Sequence, residues 1–181
     1  LSILDIGGGK QPMHLRNRYT IIFNGEIYNH AEVRKQFGLE GTTHSDTETL
    51  LLLYEKMGEQ FLEHLDGMFA FAIYDNREKT IFIARDRAGK KPLYIFNDQQ
   101  KIVFASELNA LKKLLPLQLD QANFYPYTRL GVFYRQMTPY KNVRELPAAT
   151  TLTINCQTLK TVEKRWWNVH DRYLQTCNDT L

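Results

Sequence analysis

Apolar residues along this chain fall first in a short run, then at helical spacing, then in paired runs. Tyr19-Thr20-Ile21-Ile22-Phe23 joins β-branched and aromatic residues and predicts a buried strand, ended at Asn24-Gly25. Residues 31–37 predict a short helix. Ser45 suits an N-cap, and Glu48 three positions later would complete a capping box. The helix that follows covers 47–57 and carries Leu50, Leu51, Leu52, Leu53 and Tyr54, with Gly58 placed to end it. A further helix is expected over 59–65.

The period then changes. Residues 68–74 predict a strand, 75–79 a polar turn and 80–84 the return strand of a hairpin. A second hairpin follows, from 92–96 through a turn at 97–100 to 102–105. Both strands of the first hairpin are apolar at nearly every position, whereas a sheet with one wet face would alternate. This antiparallel sheet is therefore expected to be covered on both faces. Residues 107–115 predict a helix stopped by Pro116, 120–130 another, and 150–154 with 158–164 a last hairpin. Helices segregated from antiparallel hairpins indicate an α+β class in packed layers.

Composition narrows the function. With 181 residues, 43% of them hydrophobic, the chain can bury one domain-sized core. A net charge of +3 from 23 basic and 20 acidic residues, scattered without a basic stripe, gives no footprint for nucleic acid. No apolar run approaches the roughly 20 residues that span a bilayer, and no signal peptide is recognisable. Cys156 and Cys177 form neither a disulfide framework nor a CxxC metal site, and read as reduced thiols of a cytoplasmic protein. No metal site is predicted. Gly7-Gly8-Gly9 reads as a turn rather than a phosphate cradle, since no helix pattern follows it.

Five segments carry the candidate chemistry. In Asn24-Gly25-Glu26-Ile27-Tyr28-Asn29-His30, a glycine amide and an asparagine side chain follow a buried strand; two such donors can form an oxyanion hole, although a plain Asn-Gly turn fits equally. Thr43-His44-Ser45-Asp46-Thr47-Glu48 is a helix start whose carboxylates can also hold an ammonium group. The others are 65–75, the Arg85-Asp86-Arg87-Ala88-Gly89-Lys90-Lys91-Pro92-Leu93-Tyr94 run, and 104–111. Arg85 and Asp86 read as a buried pair joining hairpins, and Ser106-Glu107 as a helix N-terminus.

In this order and spacing the five segments resemble the glutaminase domain of class II glutamine amidotransferases, nearest to the glutamine-hydrolysing asparagine synthetase branch. The resemblance covers 1–167, and 168–181 reads as a linker toward a synthetase domain that is not in this chain. It implies an N-terminal-nucleophile hydrolase fold: a four-layer αββα sandwich of two stacked antiparallel sheets, here without its first strands. It implies that an N-terminal Cys attacks the glutamine side-chain amide with its own α-amine as base. Ammonia then passes to a second domain that activates aspartate with ATP and Mg²⁺, while the glutaminase domain itself takes no cofactor.

Carried over by motif, Asn24 and Gly25 match the oxyanion donors, Glu26 lines the glutamine site, and Asp46 pairs with the substrate ammonium. Leu1, Ser2, Ile3, Leu4 and Asp5 resemble the substrate-proximal loop. The nucleophilic Cys and the Arg expected just before Leu1 are not in the chain. It is therefore expected to be part of something longer and to lack glutaminase activity alone. Other acceptors remain open, such as sugar acids of polysaccharides, as does a non-catalytic scaffold without the Cys. Members of the family are often dimers, but no sequence patch here gives a dimer.

Overall fold

Two strands that begin the described part of the chain set the register for everything after them. The computed structural model describes residues 9–178. Met13–Leu15 (β1) and Tyr19–Ile27 (β2) pair antiparallel with Met13 opposite Ile21. The helices His30–Phe37 (α1) and Asp46–Met57 (α2) follow, then a 3-10 helix at Gly58–His64 where an α-helix over 59–65 was expected. Gly67–Asp75 (β3), Thr80–Arg85 (β4), Tyr94–Asn97 (β5) and Ile102–Ala105 (β6) form the two predicted hairpins. Leu108–Leu114 (α3), Gln121–Leu130 (α4), Val143–Glu145 (β7), Thr150–Asn155 (β8), Thr161–Arg165 (β9) and Val169–Asn178 (α5) complete the order. The segment read as a linker thus contains α5.

The strands form two antiparallel sheets, one of six in the order β1-β2-β3-β4-β8-β9 and one of three in the order β6-β5-β7. Three hydrophobic cores lie between layers. The first joins Ile21, Phe23, Phe69, Phe71, Ile73 and Phe82 of the large sheet to Leu50, Leu51 and Leu53 of α2 and Val33 of α1. Full burial of each such side chain contributes about 1.5–3 kcal/mol. The second core lies between the sheets, with Ala70, Ala72, Ile83, Leu152 and Ile154 facing Leu93 and Ile95. In the third, Leu111 and Leu115 cover Phe96 and Val143 on the far side of the small sheet. Helix, sheet, sheet and helix are therefore stacked, and β3 and β4 are covered on both faces as their unbroken apolar runs require.

Three local expectations are corrected. β2 does not stop at Phe23: it continues through Asn24 and Gly25 to Ile27, paired residue for residue with β3 (Asn24 with Ala70, Gly25 with Phe69). No Asn-Gly turn exists, because the partner strand supplies a ladder that local turn chemistry cannot outbid. The capping box does not close either. Ser45 Oγ accepts from Thr47 N–H at 3.2 Å as expected of an N-cap, but Glu48 points elsewhere. Finally, Arg85 and Asp86 do not pair with each other. They end a strand, where successive side chains point to opposite faces.

Candidate functional site

The pairing of β2 with β3, the Asp46 contact to Ile27 and the cavity shared with Ser106 bring part of each of the five segments to one end of the sandwich. Asn24, Ala70 and Arg85 lie on one rung across β2, β3 and β4. Just beyond it, the Asp86 carboxylate accepts from the N–H groups of Phe69, Ala88, Lys90 and Lys91 at 2.9–3.2 Å. The Arg85 guanidinium donates to the carbonyls of Lys91 and Gly89, both at 2.7 Å, and of Leu146, and pairs with Glu145 at 2.7 Å. Trp166 reaches the same rung, donating from Nε1 to the Arg85 carbonyl at 3.0 Å. Arg85 and Asp86 are thus structural, as expected, but each through its own set of backbone partners.

The edge of β2 carries the most informative geometry. Phe23 donates its N–H to Gln11 Oε1 at 2.6 Å, and its carbonyl accepts from Gln11 Nε2 at 2.8 Å. Four residues on, Ile27 donates its N–H to Asp46 Oδ2 at 3.1 Å. N–H groups two apart in a strand point to the same edge, so Gly25, midway between them, turns its N–H to that edge as well. On the other side, Phe69 opposite Gly25 uses both its N–H and its carbonyl on Asp86, which confirms that Gly25 and Phe69 are a pair without mutual hydrogen bonds. The Gly25 amide therefore stands between Gln11 and Asp46 at the exposed edge of the strand.

Glycine is required there. A Cβ on Gly25 would lie 2.1 Å from the Met68 carbonyl oxygen and 2.8 Å from the Phe69 Cα. Asn24 lies on the opposite face of the strand from the large core and lines a cavity of about 140 Å³ between the sheets. Gln11 and Ser106 supply the other polar groups of that lining, among Phe23, Ala70, Leu93 and Phe104. Glu26, two residues from Asn24, is half-buried on the same face of the strand.

Asp46 is nearly buried at the first turn of α2. Its position is built by Glu48, whose carboxylate accepts from the N–H and the hydroxyl of both Thr42 and Thr43 at 2.8–2.9 Å and pairs with Arg34 at 3.1 Å. Burial would push this carboxyl up, but the Thr42 and Thr43 hydrogen bonds outweigh it and hold Glu48 down to about 2. Asn29 closes the site from below, donating to the His64 carbonyl and accepting from Asp66 N–H, both at 2.9 Å.

The structure therefore brings together Asn24, Gly25, Glu26 and Asp46. Leu1, Ser2, Ile3, Leu4 and Asp5 lie outside the described residues, as do Gly7 and Gly8. Cys156 follows the far end of β8, whose Asn155 pairs with Thr80, which pairs with Asp75 and through it with Tyr19. Tyr19 is five strand residues from Asn24, roughly 17 Å, so the Cys156 thiol cannot serve this site. Sequence reasoning missed Gln11 and the cavity role of Ser106.

Comparison with known proteins places the chain in a family. The family model described as a glutamine amidotransferase domain matches residues 1–167. The chain is 34% identical over 191 residues to asparagine synthetase [glutamine-hydrolyzing] 3 of Bacillus subtilis, with 100% of this chain and 31% of that protein covered. A putative asparagine synthetase [glutamine-hydrolyzing] 2 of Methanocaldococcus jannaschii is 33% identical, covering 94% and 37%. This chain thus spans about a third of the length of these relatives. Among solved structures, glutamine phosphoribosylpyrophosphate amidotransferase from B. subtilis, complexed with ADP and GMP, superposes with a TM-score of 0.60 at 24% identity, over 87% of this chain and 32% of that one. That likeness speaks for the fold.

Proposed function

The chain belongs to the family of glutamine amidotransferase domains, and from that premise we propose that it is the glutamine-handling part of a glutamine-dependent asparagine synthetase. The observation that supports this reading is the edge of β2, where a Gly25 amide stands between Gln11 and the Asp46 carboxylate with Asn24 beside it. In the proposed reaction a cysteine thiolate, supplied by a longer form of the protein, adds to the side-chain carbonyl carbon of glutamine. The carbonyl oxygen takes the negative charge. Asn24 Nδ2 and Gly25 N–H donate to it, which is worth most in a site that excludes water. Ammonia leaves, a thioester remains, and water releases glutamate and restores the thiol. Asp46 keeps Oδ2 on Ile27 and offers its other oxygen to the substrate ammonium. Glu26 walls the side-chain end of the site.

The acceptor is aspartate, activated with ATP and Mg²⁺ in a synthetase domain joined to this one. No helix among the described residues is long and apolar enough to cross a membrane, and the proposed setting is the cytoplasm, with a small zwitterion as substrate and a homodimer as assembly. In the full-length protein, Asn24→Ala should lower kcat for glutamine by on the order of 10²–10³. Asp46→Ala should raise KM for glutamine and leave ammonia-dependent synthesis intact. If glutamine-dependent and ammonia-dependent synthesis fall together in Asp46→Ala, Asp46 is a structural residue and its assignment fails.

A further inference from the structure

β1 cannot extend its ladder to the active edge of β2 in the ordinary way. Its register, Met13 opposite Ile21, would place Gln11 opposite Phe23, but the strand begins only at Met13. At Phe23 a side chain takes over. Gln11 is exposed as a residue, yet its amide oxygen accepts from Phe23 N–H and its amide nitrogen donates to the Phe23 carbonyl. These are the two hydrogen bonds that a backbone partner would have made. Primary amide and peptide group share the same donor-acceptor pair, so the substitution is chemically exact at this rung and ends there.

The consequence lies one and two residues further along. A backbone partner would continue past Phe23 and occupy the Gly25 amide. A side-chain partner stops, so β2 is held at Phe23 while Gly25 N–H has no partner among the described residues. We propose that Gln11 is a positioning residue for the oxyanion site: its side-chain amide clamps Phe23 at both polar groups, fixing the Asn24 side chain and the Gly25 N–H while leaving that N–H unpaired for ligand. The inference rests on the reading of Asn24 and Gly25 as oxyanion donors. The arrangement also has a built-in asymmetry. A carboxylate at position 11 can accept from Phe23 N–H but cannot donate to the Phe23 carbonyl until it is protonated.

The test uses the full-length protein with Gln11→Met and Gln11→Glu. Gln11→Met should lower glutamine-dependent kcat by at least about tenfold, with KM changed less than about threefold. Gln11→Glu should recover kcat relative to the unaltered protein only as pH is lowered below about 5, where an ordinary glutamate carboxyl takes up its proton and the donor is restored. A merely structural role would move neither the split nor the pH profile in this way. As a readout independent of turnover, amide exchange in the 181-residue chain should quicken in Gln11→Met at Phe23, Asn24 and Gly25 and stay unchanged in β4 and β8. Unchanged kcat, a fall in kcat and a rise in KM by equal factors, or exchange that quickens throughout the large sheet would each overturn the proposal. If Asn24→Ala leaves kcat intact, the oxyanion reading itself has failed, whatever Gln11 does.

Discussion

At the scale of single residues, Glu48 shows how a local sequence signature can be satisfied by other partners. Its spacing from Ser45 fits a capping box, but Thr42 and Thr43 offer four donors and Arg34 a charge, and these win over one backbone N–H. The result is a carboxyl held down to about 2 from an ordinary 4.5. A depressed folded value means stability that is fully present above about pH 4.5 and is lost as pH falls toward 2, because the unfolded chain takes up the proton first. The side chain is almost wholly buried, so the linkage is worth about 2–3 kcal/mol. Glu48→Gln should therefore lower stability at pH 7 by about that amount and flatten the acid limb of a urea-midpoint-against-pH curve. An acid limb as steep in the variant as in the parent protein would show that other carboxylates carry it. Tyr54 gives the opposite edge: burial pushes its hydroxyl up to about 12, so its contribution is lost only as pH climbs from about 10 toward 12.

At the scale of elements, hydrophobic patterning told which stretches would be strands and why two of them would be covered on both faces. It told less about ends. β1 and β7 have three residues each, too few for a period to register, and both exist because a longer neighbour offers a free edge. The Asn24-Gly25 step was ambiguous because an Asn-Gly pair makes turns when nothing else competes, and here β3 competes. The Gly25 amide and the Asn24 side chain could be read as a donor pair from the residues, and the family resemblance gave that pair its proposed role; that Gly25 sits in a rung without mutual hydrogen bonds could not be read before the register was known. The same register makes a sharp prediction. With 2.1 Å between a new Cβ and the Met68 carbonyl, Gly25→Ala must part β2 from β3, and backbone cannot yield as a side chain would. The cost should be at least about 1–3 kcal/mol, as for an overpacked core, read as a lowered urea midpoint. A variant within about 0.5 kcal/mol of the parent protein would mean that the strands are less closely apposed than described.

At the scale of the whole molecule, three cores stack the layers, but apolar packing alone does not fix how one sheet is turned on the other. Arg85 does. It leaves β4 of the large sheet, donates to the carbonyls of Gly89 and Lys91 in the loop that leads to β5, and reaches Glu145 in β7 and the Leu146 carbonyl just after it. Both sheets and their connection are thus held by one planar fork. Sequence pattern marked Arg85 as buried and structural but paired it with its neighbour Asp86, since the four true partners lie up to 61 positions away and three of them are backbone. A lysine would keep the charge and lose the fork, so it cannot serve three carbonyls in fixed directions. Arg85→Ala leaves those carbonyls and half of an ion pair without partners in a largely buried place, and should cost about 3–5 kcal/mol. Arg85→Lys should recover less than half of that. Glu145→Gln removes one partner that is partly in water and should cost no more than about 1 kcal/mol. The order is measurable by urea unfolding, with the slope unchanged if the folded surface is preserved. If Glu145→Gln proves as damaging as Arg85→Ala, the ion pair rather than the carbonyl fork is what joins the sheets.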